Sequence, residues 1–153
     1  MSNGMFSPEQ FLDMQTTEAN DTKLIPVPVG EYVAVIDEVK ARSWKKKDDP
    51  SVGGLALDIV WAIDDEGVKS LLGRDKVTVK QGIMLDLTES GGLDMGKGKN
   101  VNLGKLREAT GLNVPGQPFA ASMLGGRLAK IRVEHRVDGE TIYSDVKAVT
   151  KLA

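Results

Sequence analysis

Alternation of apolar and polar residues constrains the fold of this chain more than any other feature of its sequence. In the clearest case, five apolar residues stand at every second position: Leu55, Leu57, Ile59, Trp61 and Ile63. A period of two is typical of a β-strand with one buried face, and such strands favour antiparallel over parallel sheets. The segment therefore predicts a strand whose odd-numbered side chains face a core.

Four further segments also predict strands. Residues 31–41 are rich in valine and isoleucine, and residues 76–88 place apolar side chains on one face. Residues 129–137 and 141–150 flank Asp138-Gly139, a strong hairpin signal. The inward face of the first strand stays open, because two alternating sets are both apolar: Tyr32, Ala34 and Ile36, or Val33, Val35 and Val39.

The connections between the strands complete the predicted order. Asp65-Glu66-Gly67 predicts a turn between strands two and three. Residues 102–110 predict a helix between strands three and four, and Gly111 supplies its stop. This order predicts a mainly β fold: a five-stranded antiparallel OB-fold barrel with a helix between strands 3 and 4.

The first part of the chain is predicted to be a short helix with a linker. We expect residues 1–23 to form this acidic arm and residues 24–153 to form the OB-fold domain. Ser7 is a suitable N-cap and Pro8 fits the first helical position. Phe6 and Phe11 have the spacing of a hydrophobic staple.

Charge is unevenly distributed along the chain. Residues 1–29 carry four acidic residues and one lysine, a local net charge of -3. Since the whole chain has a net charge of -2, residues 30–153 carry +1. We therefore expect the arm to compete with an anionic ligand for a basic face, so that its removal tightens binding.

Composition excludes several kinds of site. The chain has no cysteine, which excludes disulfides and thiolate chemistry, and one histidine, which excludes a multi-histidine zinc site. His135 alternates with Ile131 and Val133 and is interpreted as a half-buried strand residue. We expect no enzyme activity, no metal and no cofactor. Without a secretory signal or a membrane-spanning stretch, the expected location is the cytoplasm, with no membrane partner.

A glycine-rich stretch resembles part of a phosphate-binding loop. Residues 91–97 match the first seven positions of a P-loop, but Gly98 replaces the Ser or Thr that holds magnesium. The preceding strand belongs to a meander rather than to a parallel βαβ unit. We therefore interpret the stretch as a flexible loop from which Lys97 and Lys99 can contact phosphates.

The segment Arg42-Ser43-Trp44-Lys45-Lys46-Lys47 is predicted to end the first strand and begin a loop. Cations with an aromatic face are what single-stranded nucleic acid requires, because phosphates need charge and bases need a stacking surface. The alternative is a solvated charge run with Trp44 folded back on the barrel, and this segment alone does not decide between them.

Position in an OB-fold favours the nucleic-acid interpretation. The loops between strands one and two and between strands four and five flank a binding face on strands two and three. Cations and a tyrosine border the second loop, and further lysines lie on strand three. The candidate DNA-binding residues are Arg42, Trp44, Lys45, Lys46, Lys47, Lys76, Lys80, Lys97, Lys99, Arg132, Arg136 and Tyr143.

The segment from Leu24 to Ile36, LIPVPVGEYVAVI, resembles the opening of bacteriophage single-stranded DNA-binding proteins encoded among replication and recombination genes. In that family a Pro-x-Gly-x-Tyr entry leads into the first strand, and a lysine-rich loop follows. An Asn-containing segment before the helix (here Asn100-Val101-Asn102-Leu103) and a closing hairpin extend the similarity over residues 24 to 150. The resemblance implies an OB-fold and sequence-tolerant binding of single-stranded DNA without catalysis.

Two functions from different classes follow. The leading hypothesis is a phage protein that coats single-stranded DNA and presents it to replication or recombination proteins. The alternative is a virion or assembly protein whose β-barrel is a scaffold and whose N-terminal helix docks a neighbour through Phe6, Phe11, Leu12 and Met14. The sequence leaves the oligomeric state open, and a homo-oligomer is compatible with both.

Overall fold

The strand with the clearest alternation lies between two others in a sheet that closes on itself. A computed structural model of the protein describes residues 7–152. The strands are β1 (Gly30–Lys45), β2 (Gly53–Ile63), β3 (Thr78–Met84), β4 (Leu128–Asp138) and β5 (Thr141–Thr150). The helices are α1 (Pro8–Leu12), α2 (Glu66–Leu72) and α3 (Val101–Ala109), and a short 3-10 helix spans Ala121–Leu124.

The five strands form a ring in the order β1-β2-β3-β5-β4, with β4 returning to β1. All neighbours are antiparallel except β3 and β5, which run parallel and pair at Lys80 and Asp145. The predicted fully antiparallel sheet is therefore wrong, and the sheet is mixed. The reason is geometric, because an odd number of strands cannot alternate in direction all the way around a closed ring.

A bulge in β1 determines which of its two alternating sets of apolar residues faces the core. Ala34 and Ile36 are buried, and the register with β2 shifts between Ile36 and Glu38. After one extra residue the face changes, so Val39 packs against the same core. Both sets thus contribute inward side chains, on either side of the bulge.

A half-buried glutamine supplies the hydrogen-bond acceptor for the largest side chain of the core. Trp61 is fully buried, together with Ile59, Ile131 and Val133. Its indole Nε1 donates to the side-chain oxygen Oε1 of Gln81 at 2.9 Å. A buried donor without a partner is destabilising, so this hydrogen bond fixes the rotamer of the largest core side chain.

The predicted turn at Asp65-Glu66-Gly67 is wrong, because α2 begins there. The Asp65 carboxylate accepts a hydrogen bond from the backbone N–H of Val68 at 3.0 Å and caps the helix. Val68 is buried against the core, and Gly73 ends the helix with a φ of 65°. A cap, a buried contact and a glycine stop together stabilise a helix where local composition favoured a turn.

The predicted third strand, residues 76–88, extends beyond the observed strand at both ends, because β3 covers only Thr78–Met84. After β3 the chain turns into a loop whose ends are joined by Asp86 and Asn100. The predicted helix between strands three and four is present as α3, and its Leu103 and Leu106 are buried.

The N-terminal helix is present, but it is short and solvated. The hydroxyl of Ser7 accepts a hydrogen bond from the backbone N–H of Gln10, as the capping pattern predicts. Phe6 lies outside the described residues, and with it the predicted staple to Phe11. None of the helices within residues 7–152 is long and apolar enough to cross a membrane.

We predict that Gln81→Ala lowers the free energy of unfolding by about 1–3 kcal/mol, because it leaves the buried Nε1 of Trp61 without an acceptor. Urea unfolding followed by circular dichroism measures the change. Gln117→Ala is the matched control, since Gln117 is exposed in a loop. Equal urea midpoints for the two variants would contradict the structural role of this hydrogen bond.

Candidate nucleic-acid interface

Trp44 lies in a strand, not in a loop. The first strand was predicted to end near residue 41, but β1 continues to Lys45 because its backbone pairs with the start of β2. Trp44 stands opposite Gly54, and its indole lies over that glycine. A Cβ added to Gly54 would be 3.3 Å from the indole Nε1 and 3.4 Å from its ring carbons.

The indole is thus half-buried on the outer surface of the sheet. This matches one part of the alternative interpretation, in which the side chain folds back on the barrel. Within residues 7–152, the Nε1 of Trp44 is buried and has no hydrogen-bond partner.

Three exposed lysines continue from Trp44 into the turn between β1 and β2. Lys45, Lys46 and Lys47 form no ion pair with any residue in the described range 7–152. The backbone N–H of Lys46 donates to the carbonyl of Val52 at 2.9 Å, which closes the hairpin. We refer to Trp44, Lys45, Lys46 and Lys47 as the hairpin cluster.

Four predicted cations are ion-paired on the protein surface. The pairs are Arg42–Asp58 (2.9 Å), Lys76–Asp37 (2.8 Å), Arg132–Glu134 (3.0 Å) and Arg136–Asp145 (2.9 Å). The hydrogen bond and charge of Asp58 raise the pKa of Arg42, and Asp145 raises the pKa of Arg136 in the same way. Exposed ion pairs contribute little to stability because solvent screens them, so a phosphate can replace the carboxylate at little cost.

Arg136 and Tyr143 form a stacked pair on the outer face of the β4–β5 hairpin. The guanidinium carbon of Arg136 is 4.5 Å from the centre of the Tyr143 ring, and Tyr143 is 43% exposed. A guanidinium plane over an aromatic ring is held in a fixed orientation. Both flat surfaces are of the kind on which unpaired bases stack.

A polar cavity of about 620 Å³ lies where β3, β5 and α3 meet, and we call it the seam groove. Lys80 and Arg136, both predicted site residues, line it. Asn102 and Lys105 of α3 and Lys147 of β5 also line it and were not predicted. The sequence carries no signal for this grouping, because β3 and β5 become neighbours only through closure of the ring.

The glycine-rich stretch belongs to the loop between β3 and α3. The backbone N–H of Asn100 donates to the Asp86 carboxylate at 2.9 Å, and the Asn100 side chain accepts from the N–H of Asp86 at 2.8 Å. The ends of the loop are therefore fixed. Lys97 and Lys99 are exposed, and Lys99 borders a separate small cavity beside α3.

His135 anchors the segment that enters the ring. Its Nε2 is 2.7 Å from the carbonyl oxygen of Val27, and the hydroxyl of Ser144 accepts from the N–H of Val27 at 2.9 Å. His135 is exposed rather than half-buried, so that part of its prediction is wrong. Over residues 7–152, no three His, Asp or Glu side chains are grouped as metal ligands.

The predicted residues thus fall into two groups and a remainder. The hairpin cluster is one group, with Arg42 beside it on β1. The seam groove brings Lys80 and Arg136 together, with Tyr143 next to Arg136. Four predicted residues lie outside both groups: Lys76, Lys97, Lys99 and Arg132.

We predict that Gly54→Ala displaces the indole of Trp44 by a few tenths of an ångström towards solvent and shifts the tryptophan emission to longer wavelength. The added methyl group would be 3.3 Å from the indole Nε1, closer than ordinary packing allows. Gly82→Ala is the matched control on the outer face of β3, since its nearest contact is the Asp58 carboxylate at 3.8 Å. Identical emission spectra for both variants would show that Gly54 does not position Trp44.

Comparison with known proteins assigns no family to this chain. Neither the protein-family models nor the curated proteins searched include a match to this chain. The function must therefore be argued from the hairpin cluster, the seam groove and the fold that positions them.

Proposed function

We propose that this protein binds single-stranded DNA with little sequence preference. The observation that carries the proposal is the hairpin cluster, in which an indole lies on Gly54 beside three exposed lysines. Stacking on an aromatic side chain is worth about 1–3 kcal/mol per base and accepts every base, because every base has a π-face. Lysines supply charge for phosphates without reading sequence.

The contact between Trp44 and Gly54 also reduces the conformational entropy that the indole loses on binding. An indole in a mobile loop loses conformational freedom when a base stacks on it, which opposes association. Contact with Gly54 and the β1–β2 ladder already restrict this side chain. More of the stacking energy then remains for affinity.

We further propose that the mixed ring is an OB-fold. The order β1-β2-β3-β5-β4, with α3 between β3 and β4, supports this assignment. OB-folds bind oligonucleotides on strands two and three and on the loops after strands one and four. The hairpin cluster lies at the first of these loops.

The biological setting comes from the resemblance over residues 24–150. We propose a phage protein that protects single-stranded DNA during replication or recombination in the host cytoplasm. In this role it binds and does not catalyse, and it needs no cofactor. Replication or recombination proteins and further copies of the chain are its proposed partners.

The assembly function remains the second candidate because the arm exposes apolar side chains. Phe11, Leu12 and Met14 are 69%, 82% and 70% exposed. Apolar side chains exposed close together are typical of a docking element. In this second function the ring is a scaffold and the arm binds a neighbouring subunit.

We predict that oligo-dT quenches the fluorescence of Trp44 and that affinity falls steeply with salt. Trp61 is fully buried, so Trp44 is the tryptophan that a base can reach. Trp44→Leu should lose the quenching and about 1–3 kcal/mol of binding free energy. Trp61→Phe, checked for folding by circular dichroism, should increase the fractional quenching because it removes the buried background emission.

The result that would overturn the proposal is an absence of oligonucleotide binding by the wild-type protein at low salt. A second informative result is binding that Trp44→Leu does not weaken, because the hairpin cluster would then not be the site.

Deletion of residues 1–23 separates the two candidate functions. For a DNA-binding protein, we expect the truncated chain to bind oligo-dT more tightly, because the deletion removes acidic charge that competes for the basic face. For an assembly protein, the same deletion abolishes self-association and neither chain binds DNA. Sedimentation and fluorescence anisotropy on both chains measure these outcomes.

A further inference from the structure

We propose that the seam groove is a second phosphate-binding site, which holds the backbone of the DNA strand whose bases stack at the hairpin cluster. This inference rests on the proposed function and adds two phosphate contacts that the sequence did not predict, Lys105 and Lys147. The ligand that we propose for the groove is a phosphate ester. Such a group is negatively charged, carries several acceptor oxygens and, in a single strand, is flexible enough to enter a groove.

The groove exists because β3 and β5 are joined at one position. Lys80 pairs with Asp145, and beyond this pair no further ladder connects the two strands within the described chain. Strand edges without partners present backbone N–H and C=O groups to the space between them. Asn102 and Leu106 of α3 line the same space.

Positive charge is concentrated at this groove although the chain as a whole is acidic. Lys80, Lys105, Arg136 and Lys147 line it, against the single carboxylate of Asp145. The three lysines make no ion pair with residues 7–152. Like charges that share a groove repel one another, and an anion bound between them relieves that repulsion.

The lining selects the kind of anion. A cavity of about 620 Å³ is larger than a single phosphate needs and lies within the range of about 300–1,000 Å³ common for ligand sites. The stacked Arg136 and Tyr143 add a flat surface next to the cations. Phosphates beside an unpaired base match this combination better than the scattered carboxylates of an acidic peptide do.

Asp145 competes with a phosphate for Arg136. Its carboxylate forms an ion pair with the guanidinium at 2.9 Å, so an incoming phosphate oxygen must replace it. Arginine binds carboxylate and phosphate with the same planar donors, which makes the exchange geometrically simple. Asp145→Asn should therefore increase affinity for oligo-dT, because it removes the competing charge.

The test removes two groove charges that were not part of the predicted site. Lys105→Gln/Lys147→Gln is compared with Lys69→Gln/Arg74→Gln, which removes two positive charges in α2 and just after it, neither of which lines the groove. Binding of an oligo-dT of about 16 nucleotides, the upper site size of one OB-fold, is measured across a salt series. Loss of two phosphate contacts should lower the slope of log K against log salt by about 1.4.

The outcomes distinguish this inference from the proposed function. The groove variant should show the lower slope while Trp44 is still quenched at saturation, and the control should match the wild type. A groove variant with the wild-type slope overturns the inference and leaves the hairpin cluster intact. No oligonucleotide binding by the wild type overturns the proposed function itself.

Two further titrations identify the source of the phosphate. Thymidine monophosphate and pyrophosphate should each displace oligo-dT weakly, since a single contact lacks the stacking at Trp44. Tighter binding of either compound than of the oligonucleotide would assign the groove to a free phosphate compound and overturn the inference. A third titration uses a peptide of residues 7–23, and tighter binding of this peptide than of oligo-dT would overturn the inference in favour of an acidic protein segment.

Discussion

Closure of five strands into a ring is the constraint on which the rest of the structure depends. An odd number of strands cannot alternate around a ring, so one neighbouring pair must run parallel, and here that pair is β3 and β5. These strands meet at Lys80 and Asp145, and α3 packs beside the gap that remains. The same closure buries Trp61, Ile131 and Val133 in one core and leaves the seam groove on the surface.

The hairpin cluster and the seam groove differ in how the fold positions their residues. Pairing between neighbouring strands positions the hairpin cluster: β1 and β2 are antiparallel neighbours, and Gly54 leaves room for the indole of Trp44. Tertiary packing forms the seam groove, because Lys80, Lys105 and Lys147 come from three elements far apart in the chain. In the proposed function, one cluster supplies a stacking surface and the other supplies charge along the backbone of the strand.

The sequence predicts the parts of this structure that depend on local pattern. Alternation identifies β2 and β4, since β2 and the first half of β4 bury one face. The turn after Asp138 fixes the register between β4 and β5. The last residues of β1 were missed, because Arg42 to Lys45 are held by backbone pairing and have no apolar face to reveal a strand. The signals for α2 were present in Asp65, Val68 and Gly73, but a short acidic segment with glycine favours a turn equally well.

The most direct test of the central claim is the ¹H–¹⁵N spectrum of the protein with and without oligo-dT. Its two tryptophans give two indole N–H signals, one from Nε1 of Trp44 and one from Nε1 of Trp61, which donates to Gln81. We expect the Trp44 signal and the amides of residues 146–150 to shift on binding, while the Trp61 signal stays in place. Shifts confined to the α1 segment, or none at all, would contradict it.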